Sequence, residues 1–146
     1  MVKRISIETV HAVRDTCLCL ASQRAARLLA RRFDRAFQEL GITNNQFSLL
    51  MTLTGVQPPA LSGLAEFLGM DRTTLTAALK ALQRRGLVSV AVDAGDARVK
   101  RPQLTPAGLQ LVKSALPVWR AEHTALEKQL VDADAHELRR LLAAVR

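Results

Sequence analysis

Apolar residues recur at helical spacing along most of this chain, and the stretch between Asp71 and Gly86 shows the pattern most clearly. Its apolar positions fall at i, i+3, i+4 and i+7, which places them on one face of an amphipathic helix. These positions are Leu75, Ala78, Leu79 and Leu82. A shorter helix is predicted from Leu61 to Leu68, with Ser62 as its cap and Gly69 as its stop. The two helices and the glycine between them form a predicted helix–turn–helix.

Beyond Gly86 the helical spacing gives way to the pattern of a β-hairpin. The strand-forming segment LVSVAV is followed by the turn sequence DAGD and the basic return strand VKRPQLT. A helix–turn–helix places its second helix in the major groove of DNA, and a charged hairpin after it is typical of a winged helix. Residues 61–105 therefore give the strongest indication of function in the chain.

The segments on either side are predicted to be helical. A long helix is expected from Asp15 to Leu40, after a short lead-in near Ile7–Val13 and before a stop at Gly41. At roughly 1.5 Å per residue it would be about 40 Å long, so part of it should pack on another subunit. The next helix, from Asn44 to about Thr54, follows the capping box TNNQ at residues 43–46.

In the carboxy-terminal part, Thr105-Pro106 is a cap followed by proline at the first helical position. Pro117 is expected to kink or end that helix, and a last helix is predicted to begin at Asp134. The predicted fold is mainly α, a winged helix–turn–helix with about six helices and a two- to three-stranded wing hairpin. It divides into an amino-terminal dimerisation helix region (1–40), a winged helix–turn–helix lobe (41–105) and carboxy-terminal dimerisation helices (106–146).

Charge points to a polyanionic partner. The formal net charge is +8, with an isoelectric point near 10.7. Residues 71–101 hold seven basic residues against three aspartates, a net +4, and residues 22–40 hold five arginines against two acids, a net +3. The segment MVKRISIE lacks the apolar run of a signal peptide, and no stretch approaches transmembrane length. These features predict a cytoplasmic protein that does not engage a membrane.

The exposed face of the predicted recognition helix, residues 71–85, carries hydroxyl residues at its start and longer basic residues further along. Hydroxyls suit close approach to base edges and phosphates, whereas long basic side chains reach the DNA backbone. In the hairpin, Arg98 stands between Asp96 and Lys100, which favours a DNA contact over a solvated turn residue. The predicted DNA-binding residues are Arg72, Thr73, Thr74, Thr76, Lys80, Arg84, Asp96, Arg98, Lys100 and Arg101.

With these residues in place, the chain resembles the MarR family (multiple antibiotic resistance regulator type) over essentially its whole length. The resemblance rests on LSGLAEFLGMDRTTLTAALKALQRRGLV, on DxxDxR at residues 93–98 and on LTxxG at residues 104–108. It implies a homodimer with interdigitating terminal helices, a recognition helix in the major groove and a wing in an adjacent minor groove. It also implies that Arg98 enters the minor groove and that Asp96 holds it. The chain departs from the family at Ala77, where a basic residue or glycine is frequent.

Such a dimer is expected to be a repressor of a pseudopalindromic operator, released by a small, partly apolar, aromatic or anionic effector. The effector would wedge between the first, second and fifth predicted helices and change the separation of the two recognition helices. The candidate cavity walls are Phe33, Phe37, Phe47, Met51 and Trp119. Arg27 is the candidate anchor for an anion, and the alternative is that the arginines of residues 22–40 form a solvated face paired with Asp34 and Glu39.

Two other hypotheses use different parts of the chain. In one, Cys17 or Cys19 senses oxidants through an intersubunit disulfide or a sulfenic acid. The alternative is that both are small buried hydrophobes, and two residues apart on one helix they would point about 200° away from each other. In the other hypothesis the winged helix binds a protein instead of DNA. The basic wing argues against this, because a protein-binding wing does not require a run of basic residues.

Catalytic signatures are missing from the sequence. It contains no GxSxG, Walker or GxGxxG motif, and its histidines lack the spacing of metal ligands. The sequence therefore predicts no catalytic residues, no metal site and no cofactor.

Overall fold

The computed structural model describes residues 4–55, 59–130 and 134–145. Within these ranges the chain forms seven α-helices, one 3₁₀ turn and one β-hairpin. The helices are α1 (Ile7–Thr16), α2 (Leu18–Ala36), α3 (Asn44–Thr52), α4 (Leu61–Leu68), α5 (Arg72–Arg84), α6 (Pro106–Gln129) and α7 (Ala135–Ala143). The strands are β1 (Val88–Val92) and β2 (Lys100–Leu104), and their order along the chain confirms the predicted winged helix–turn–helix.

The amino-terminal part differs from the single long helix predicted over Asp15–Leu40, and that prediction is wrong. The chain is extended at Cys17, with ψ 104°, so that α1 and α2 are separate helices. Each has its own cap, since Ser6 accepts a hydrogen bond from the Thr9 amide and the Cys17 sulfur accepts one from the Leu20 amide. With 19 residues, α2 is about 29 Å long. The argument from a 40 Å helix therefore no longer supports a second subunit.

The corner between α2 and α3 is built as the sequence predicts. A 3₁₀ turn at Gln38–Leu40 ends at Gly41, whose φ of 65° is the left-handed conformation that favours glycine. Thr43 and Gln46 form the capping box, with each side chain accepting a hydrogen bond from the other's amide. Asp34 adds a bond that was not predicted, because its Oδ1 accepts from the Asn44 amide at 2.6 Å. The end of α2 thereby holds the start of α3.

The helix–turn–helix is formed by α4 and α5. The predicted cap Ser62 is wrong, since α4 begins at Leu61 and its N-cap is Ala60, which has no side-chain oxygen to accept a hydrogen bond. Gly69 ends α4 in the left-handed conformation, with φ 62°. Asp71 caps α5 as predicted, and its Oδ1 accepts from the Thr74 amide at 2.8 Å.

The wing is a two-stranded antiparallel hairpin in which Val88 pairs with Leu104 and Val92 with Lys100. Pro102 is buried on this hairpin opposite Val90. The base of the wing contacts α4, α5 and α6, which fixes its direction relative to the recognition helix.

Two buried clusters make the core. The larger joins the helix–turn–helix to the wing, and its members include Leu50, Leu64, Leu75, Leu82, Val88 and Val112. The smaller consists of Phe33, Phe37, Ile42, Phe47 and Ala115. The helix α6 joins both clusters and continues through Pro117, so of the two predicted effects of this proline, a kink or an end of the helix, the end is wrong. The proline is exposed, which lets its ring lie in solvent while Val112 and Ala115 anchor the helix. Beyond α6, the last helix α7 begins at Ala135 and Asp134 is its N-cap, within one residue of the predicted start.

Candidate nucleic-acid interface and neighbouring cavity

The recognition helix α5 has one apolar face and one polar face. Leu75, Leu79 and Leu82 are buried in the core, which turns the opposite face to the outside. That outer face carries Arg72, Thr73, Ala77, Lys80 and Arg84, all of them exposed. The helix is therefore held by its leucines and free to contact a ligand along its length.

The three threonines of α5 differ in what their hydroxyls can do. Thr74 donates to the capping carboxylate of Asp71 at 2.6 Å, and this bond is the main cause that lowers the pKa of Asp71. Thr76 donates to the Arg72 carbonyl oxygen at 2.7 Å. In the described residues, the Thr73 hydroxyl has no hydrogen bond. Only Thr73 among them keeps an uncommitted hydroxyl donor for a base or phosphate.

The tip of the wing is braced by Asp93. Its Oδ1 accepts from the Gly95 amide at 2.8 Å and the Asp96 amide at 3.2 Å, and its Oδ2 accepts from Arg101 Nε at 2.5 Å. The bond from Arg101 is the largest cause that lowers the pKa of Asp93. The predicted DNA-contact residue Arg101 is thus also the partner that ties the return strand to the turn.

Asp96 holds Arg98 through the main chain. Its Oδ1 accepts from the Arg98 amide at 2.9 Å. The Arg98 guanidinium is exposed, and no carboxylate of the described residues forms an ion pair with it. The carboxylate therefore shapes the turn and leaves the charge of the arginine available to an anion.

Two shallow concavities connect the recognition helix with the wing. One, of about 140 Å³, places Arg72 of α5 beside Arg98 and Lys100 of the wing. The other, of about 330 Å³, places Thr76 and Lys80 beside Lys100. Five of the predicted residues thus line one surface, namely Arg72, Thr76, Lys80, Arg98 and Lys100. Arg84 lines neither concavity. The sequence missed Ser62 and Gln83, which line this surface, because their place depends on how α4 and the wing meet α5.

This surface keeps its positive charge. Within the described ranges, five basic residues on this surface or beside it on α5 form no ion pair with a carboxylate. They are Arg72, Lys80, Arg84, Arg98 and Lys100. Cations without internal counter-ions make a favourable surface for a polyanion.

A cavity of about 690 Å³ lies on another side of the same lobe. It is bounded by α3, by α6 and by the turn from α4 to Met70. The lining residues are Asn45, Phe47, Ser48, Met51, Thr52, Phe67, Leu68, Met70, Leu116 and Trp119. The rings of Phe47 and Trp119 are stacked with centroids 6.5 Å apart. The lining is mainly apolar, and the part of the chain that the structure describes adds an amide and two hydroxyls to it but no charged side chain.

The predicted effector residues divide into two groups. Phe47, Met51 and Trp119 line the cavity, whereas Phe33 and Phe37 are buried in the smaller core cluster. Arg27 is exposed on α2, where it donates to Gln23 at 3.1 Å, and it does not line the cavity.

The sequence missed Phe67 as a cavity residue, although it is 77% exposed. A large aromatic residue beside the core positions of a short amphipathic helix was the available signal for it. The arginines also pair differently from the predicted solvated face. Arg32 of α2 donates to Glu122 of α6, so at least one of them joins two helices.

Both cysteines are free thiols. Cys17 is half-buried at the junction of α1 and α2, whereas Cys19 is exposed and its sulfur accepts from Gln23 Nε2 at 3.2 Å. The prediction that they share one helix is wrong, because Cys17 precedes α2 as its cap. The argument that they point 200° apart therefore does not apply. Cys19 also differs from the small buried hydrophobe considered above.

The described residues contain neither a membrane-spanning helix nor a cluster of metal ligands. No helix there is long and apolar enough to cross a membrane. In the same part of the chain, no group of three or more His, Cys, Asp or Glu residues could hold a metal ion.

Comparisons with known proteins give consistent results. A family model described as "MarR family" matches residues 42–100, the segment from the start of α3 to the wing. A comparison with curated protein sequences returns no match.

Solved structures match over most of the chain. The transcriptional regulator MosR of M. tuberculosis, crystallised in complex with DNA, is 38% identical, with a TM-score of 0.79 over 87% of this chain and 91% of that one. MosR without DNA gives 36% identity and a TM-score of 0.75 over 88% and 92% of the two chains. A probable transcriptional regulator from Pseudomonas aeruginosa is 25% identical, with a TM-score of 0.79 over 90% and 98%.

Proposed function

The chain belongs to the MarR family, and on this basis we propose that it is a homodimeric transcription regulator that binds a pseudopalindromic DNA operator. The observation that carries the proposal is the basic surface of α5 and the wing, whose five cations have no carboxylate partner among the described residues. A regulator of this kind acts in the cytoplasm, where it reaches the chromosome, and it acts by binding rather than by catalysis.

In the proposed complex α5 enters the major groove and the wing reaches the adjacent minor groove. Arg72, Lys80 and Arg84 contact phosphates, while the Thr73 hydroxyl lies nearest the base edges. Arg98 enters the minor groove, where a narrow A·T-rich sequence concentrates negative potential. Asp96 and Asp93 set the conformation of the turn that presents it.

The dimer is proposed to form through the terminal regions 1–40 and 106–146, on either side of the DNA-binding lobe 41–105. Neither α1 nor α7 buries a residue within the protomer. Their exposed apolar residues include Ile7, Val10, Val13, Leu138, Leu141 and Leu142. A second subunit would cover these faces and hold two recognition helices roughly 34 Å apart, one turn of the DNA helix.

Effector release is proposed to work through the 690 Å³ cavity. One of its walls is formed by α3 and α6, and the other by Phe67, Leu68 and Met70 immediately before α5. A ligand that binds there pushes α4 and α5 away from α6, and this changes the separation of the recognition helices. Because no charged side chain of the described residues lines the cavity, the effector should be an uncharged aromatic or apolar molecule, not an anion held by Arg27.

The DNA-binding proposal is tested by titrating the intergenic region beside the chain's own gene at several salt concentrations. We expect a protected pseudopalindrome and an affinity that falls steeply with salt. Each neutralised phosphate makes the slope of log K against log salt more negative by about 0.9. Arg98→Ala should weaken binding about tenfold while the protein remains folded. Arg120→Ala, at an exposed arginine on α6 that lines no concavity of the DNA-binding surface, is the matched control.

An Arg98→Ala protein that binds like the wild type would contradict the wing assignment. Binding that does not distinguish the intergenic region from random DNA would contradict the operator. The alternative in which the winged helix binds a protein partner would then be preferred.

The effector proposal is tested with a matched pair of ligands, an aryl alcohol and the aryl carboxylate of the same ring. The alcohol should release the operator and the carboxylate should not, as measured by competition in the DNA-binding assay. Release by the carboxylate alone would instead support the predicted anion site at Arg27.

A second candidate function keeps the operator but replaces the effector by an oxidant. The observation that favours it is the exposed thiol of Cys19 beside Cys17 at a break between two helices. Peroxide should then release DNA from the wild type and form an intersubunit disulfide or a sulfenic acid. If Cys17→Ser and Cys19→Ser proteins release DNA as the wild type does, the thiols are not the sensor.

A further inference from the structure

The exposed face of α5 contains a small concavity of about 370 Å³ that neither the family resemblance nor the charge pattern explains. It is lined by Arg72, Thr73, Thr76, Ala77 and Lys80. We propose that this concavity receives the 5-methyl group of a thymine in the major groove, so that Ala77 and Thr76 determine operator specificity. The proposal rests on the proposed function, because it concerns the DNA that α5 contacts.

The side chains of Ala77 and Thr76 limit what this face can offer a base. Ala77 has no polar side-chain atom and presents only a methyl group. The single hydroxyl proton of Thr76 is used by the Arg72 carbonyl oxygen at 2.7 Å. Thr76 can therefore present a methyl group and a hydroxyl acceptor, but no donor to the N7 and O6 atoms of guanine. Thr76 and Ala77 thus place methyl groups between Arg72 and Thr73 at one end of the concavity and Lys80 at the other.

Two cations flank the methyl groups of Thr76 and Ala77. Arg72 lies one helical turn before Thr76, and Lys80 lies one turn after it. Within the described chain neither cation has a carboxylate partner. They complement the phosphates on either side of a base pair, which brings the methyl groups of Thr76 and Ala77 towards its edge. An apolar patch between two cations thus fits an apolar group on a polyanion.

Thymine is the natural base that places such a group in the major groove. Its 5-methyl contacts alanine and threonine methyl groups in direct readout, whereas the other bases present hydrogen-bonding atoms there. A larger side chain at residue 77 would fill the concavity, so its availability depends on alanine. The protein should therefore prefer thymine at one position in each half-site of its operator.

The test replaces each thymine of the footprinted operator, one at a time, by deoxyuridine, which pairs identically and lacks only the methyl group. Wild-type protein should lose about fourfold in affinity at one thymine in each half-site, the value for one buried methyl group. Replacement of this thymine in both half-sites should lower the affinity about fifteenfold. If the protein discriminates its operator from random DNA but tolerates deoxyuridine at every position, the inference is wrong. If no operator is bound, the proposed function itself has failed.

A variant pair then assigns the contact to this concavity. Ala77→Gly removes the methyl group, so the effect of deoxyuridine should fall below twofold in this protein. Ala81→Gly carries the same helix penalty outside the concavity and should keep the fourfold effect. Melting curves establish that both proteins are folded at the assay temperature. A fourfold effect that persists in Ala77→Gly would overturn the assignment to Ala77.

Discussion

At the scale of single residues, Gly108 shows why one position of the matched LTxxG segment requires glycine. A Cβ added there would lie 2.0 Å from the Leu87 carbonyl oxygen and 3.2 Å from Leu104 Cδ2. The close approach is held by Thr105, which donates to the Gly86 carbonyl oxygen at 2.6 Å and accepts from the Gly108 amide at 3.0 Å. The start of α6 is thereby locked against the end of the recognition helix and the start of the wing.

We predict that Gly108→Ala lowers the free energy of unfolding by about 1–3 kcal/mol or more, because the backbone of Leu87 must move. Gly63→Ala is the control, since a Cβ at that position of α4 meets no atom within 4 Å. It should stabilise the protein by roughly 0.5–1 kcal/mol through helix propensity. Denaturant unfolding of the two variants measures both values. Equal stabilities would contradict the close contact.

Helix caps could be predicted from the sequence where the capping interaction is local. The caps Thr43, Asp71, Thr105 and Asp134 bond to amides two or three residues away, so residue type and spacing were sufficient. The Ser62 cap was wrong because the N-cap of α4 is Ala60, two residues earlier than a preference for serine indicates. The amide of Gly108 was predictable as the target of the Thr105 cap, but its contact with Leu87 joins distant segments and depends on tertiary packing.

At the scale of elements, the wing depends on one carboxylate for its shape. Asp93 receives hydrogen bonds from two turn amides and from Arg101 on the opposite strand. Because these bonds favour the ionised form, the pKa of Asp93 lies below its ordinary value. A folded-state pKa below the unfolded value gives stability that is present above about pH 4 and lost as the pH falls through the lowered pKa.

We predict that Asp93→Asn weakens operator binding several-fold at neutral pH, since the turn that presents Arg98 loses its brace. Melting temperatures between about pH 5 and pH 2 should also fall less steeply in this variant than in the wild type. Glu66→Gln, which removes an exposed carboxylate with no hydrogen bond or ion pair among the described residues, should leave the acid dependence unchanged. Identical acid profiles for Asp93→Asn and the wild type would show that the brace does not contribute.

The elements themselves could be predicted from the sequence where one periodicity dominates. The order of helices and hairpin and the register-setting turn follow from apolar spacing and glycine positions. The break at Cys17 could not be predicted this way, because it contains neither glycine nor proline and the apolar spacing continues on both sides. The passage of α6 through Pro117 depends on anchoring by Val112 and Ala115 in the core, which outweighs the lost hydrogen bond.

At the scale of the whole molecule, apolar side chains are exposed on the two terminal helices. Leu141 and Leu142 of α7 are 52% and 53% exposed, and neither α7 nor α1 contributes a buried residue to the protomer. Isolated amphipathic helices of this length are marginal in water, so these helices need a partner surface. The family resemblance implied that the terminal helices form the dimer, but not which residues meet across it.

We predict that Leu141→Glu combined with Leu142→Glu shifts the protein from dimer to monomer in sedimentation experiments. Operator affinity should fall by at least a hundredfold, since a monomer engages one half-site without the advantage of a linked second one. Val92→Gln, at a wing residue that is 60% exposed, is the control for loss of an exposed apolar side chain and should remain dimeric. A double variant that stays dimeric would place the interface elsewhere.

The position of Trp119 gives the protein a built-in optical reporter. The chain contains one tryptophan and no tyrosine, so its intrinsic emission above that of phenylalanine belongs to this residue alone. Its indole lines the 690 Å³ cavity, stacks on Phe47 and lies 4.8 Å from the His123 ring, centroid to centroid. Occupation of the cavity should therefore change the fluorescence of the unlabelled wild-type protein. Candidate effectors can be screened in this way before the operator sequence is known.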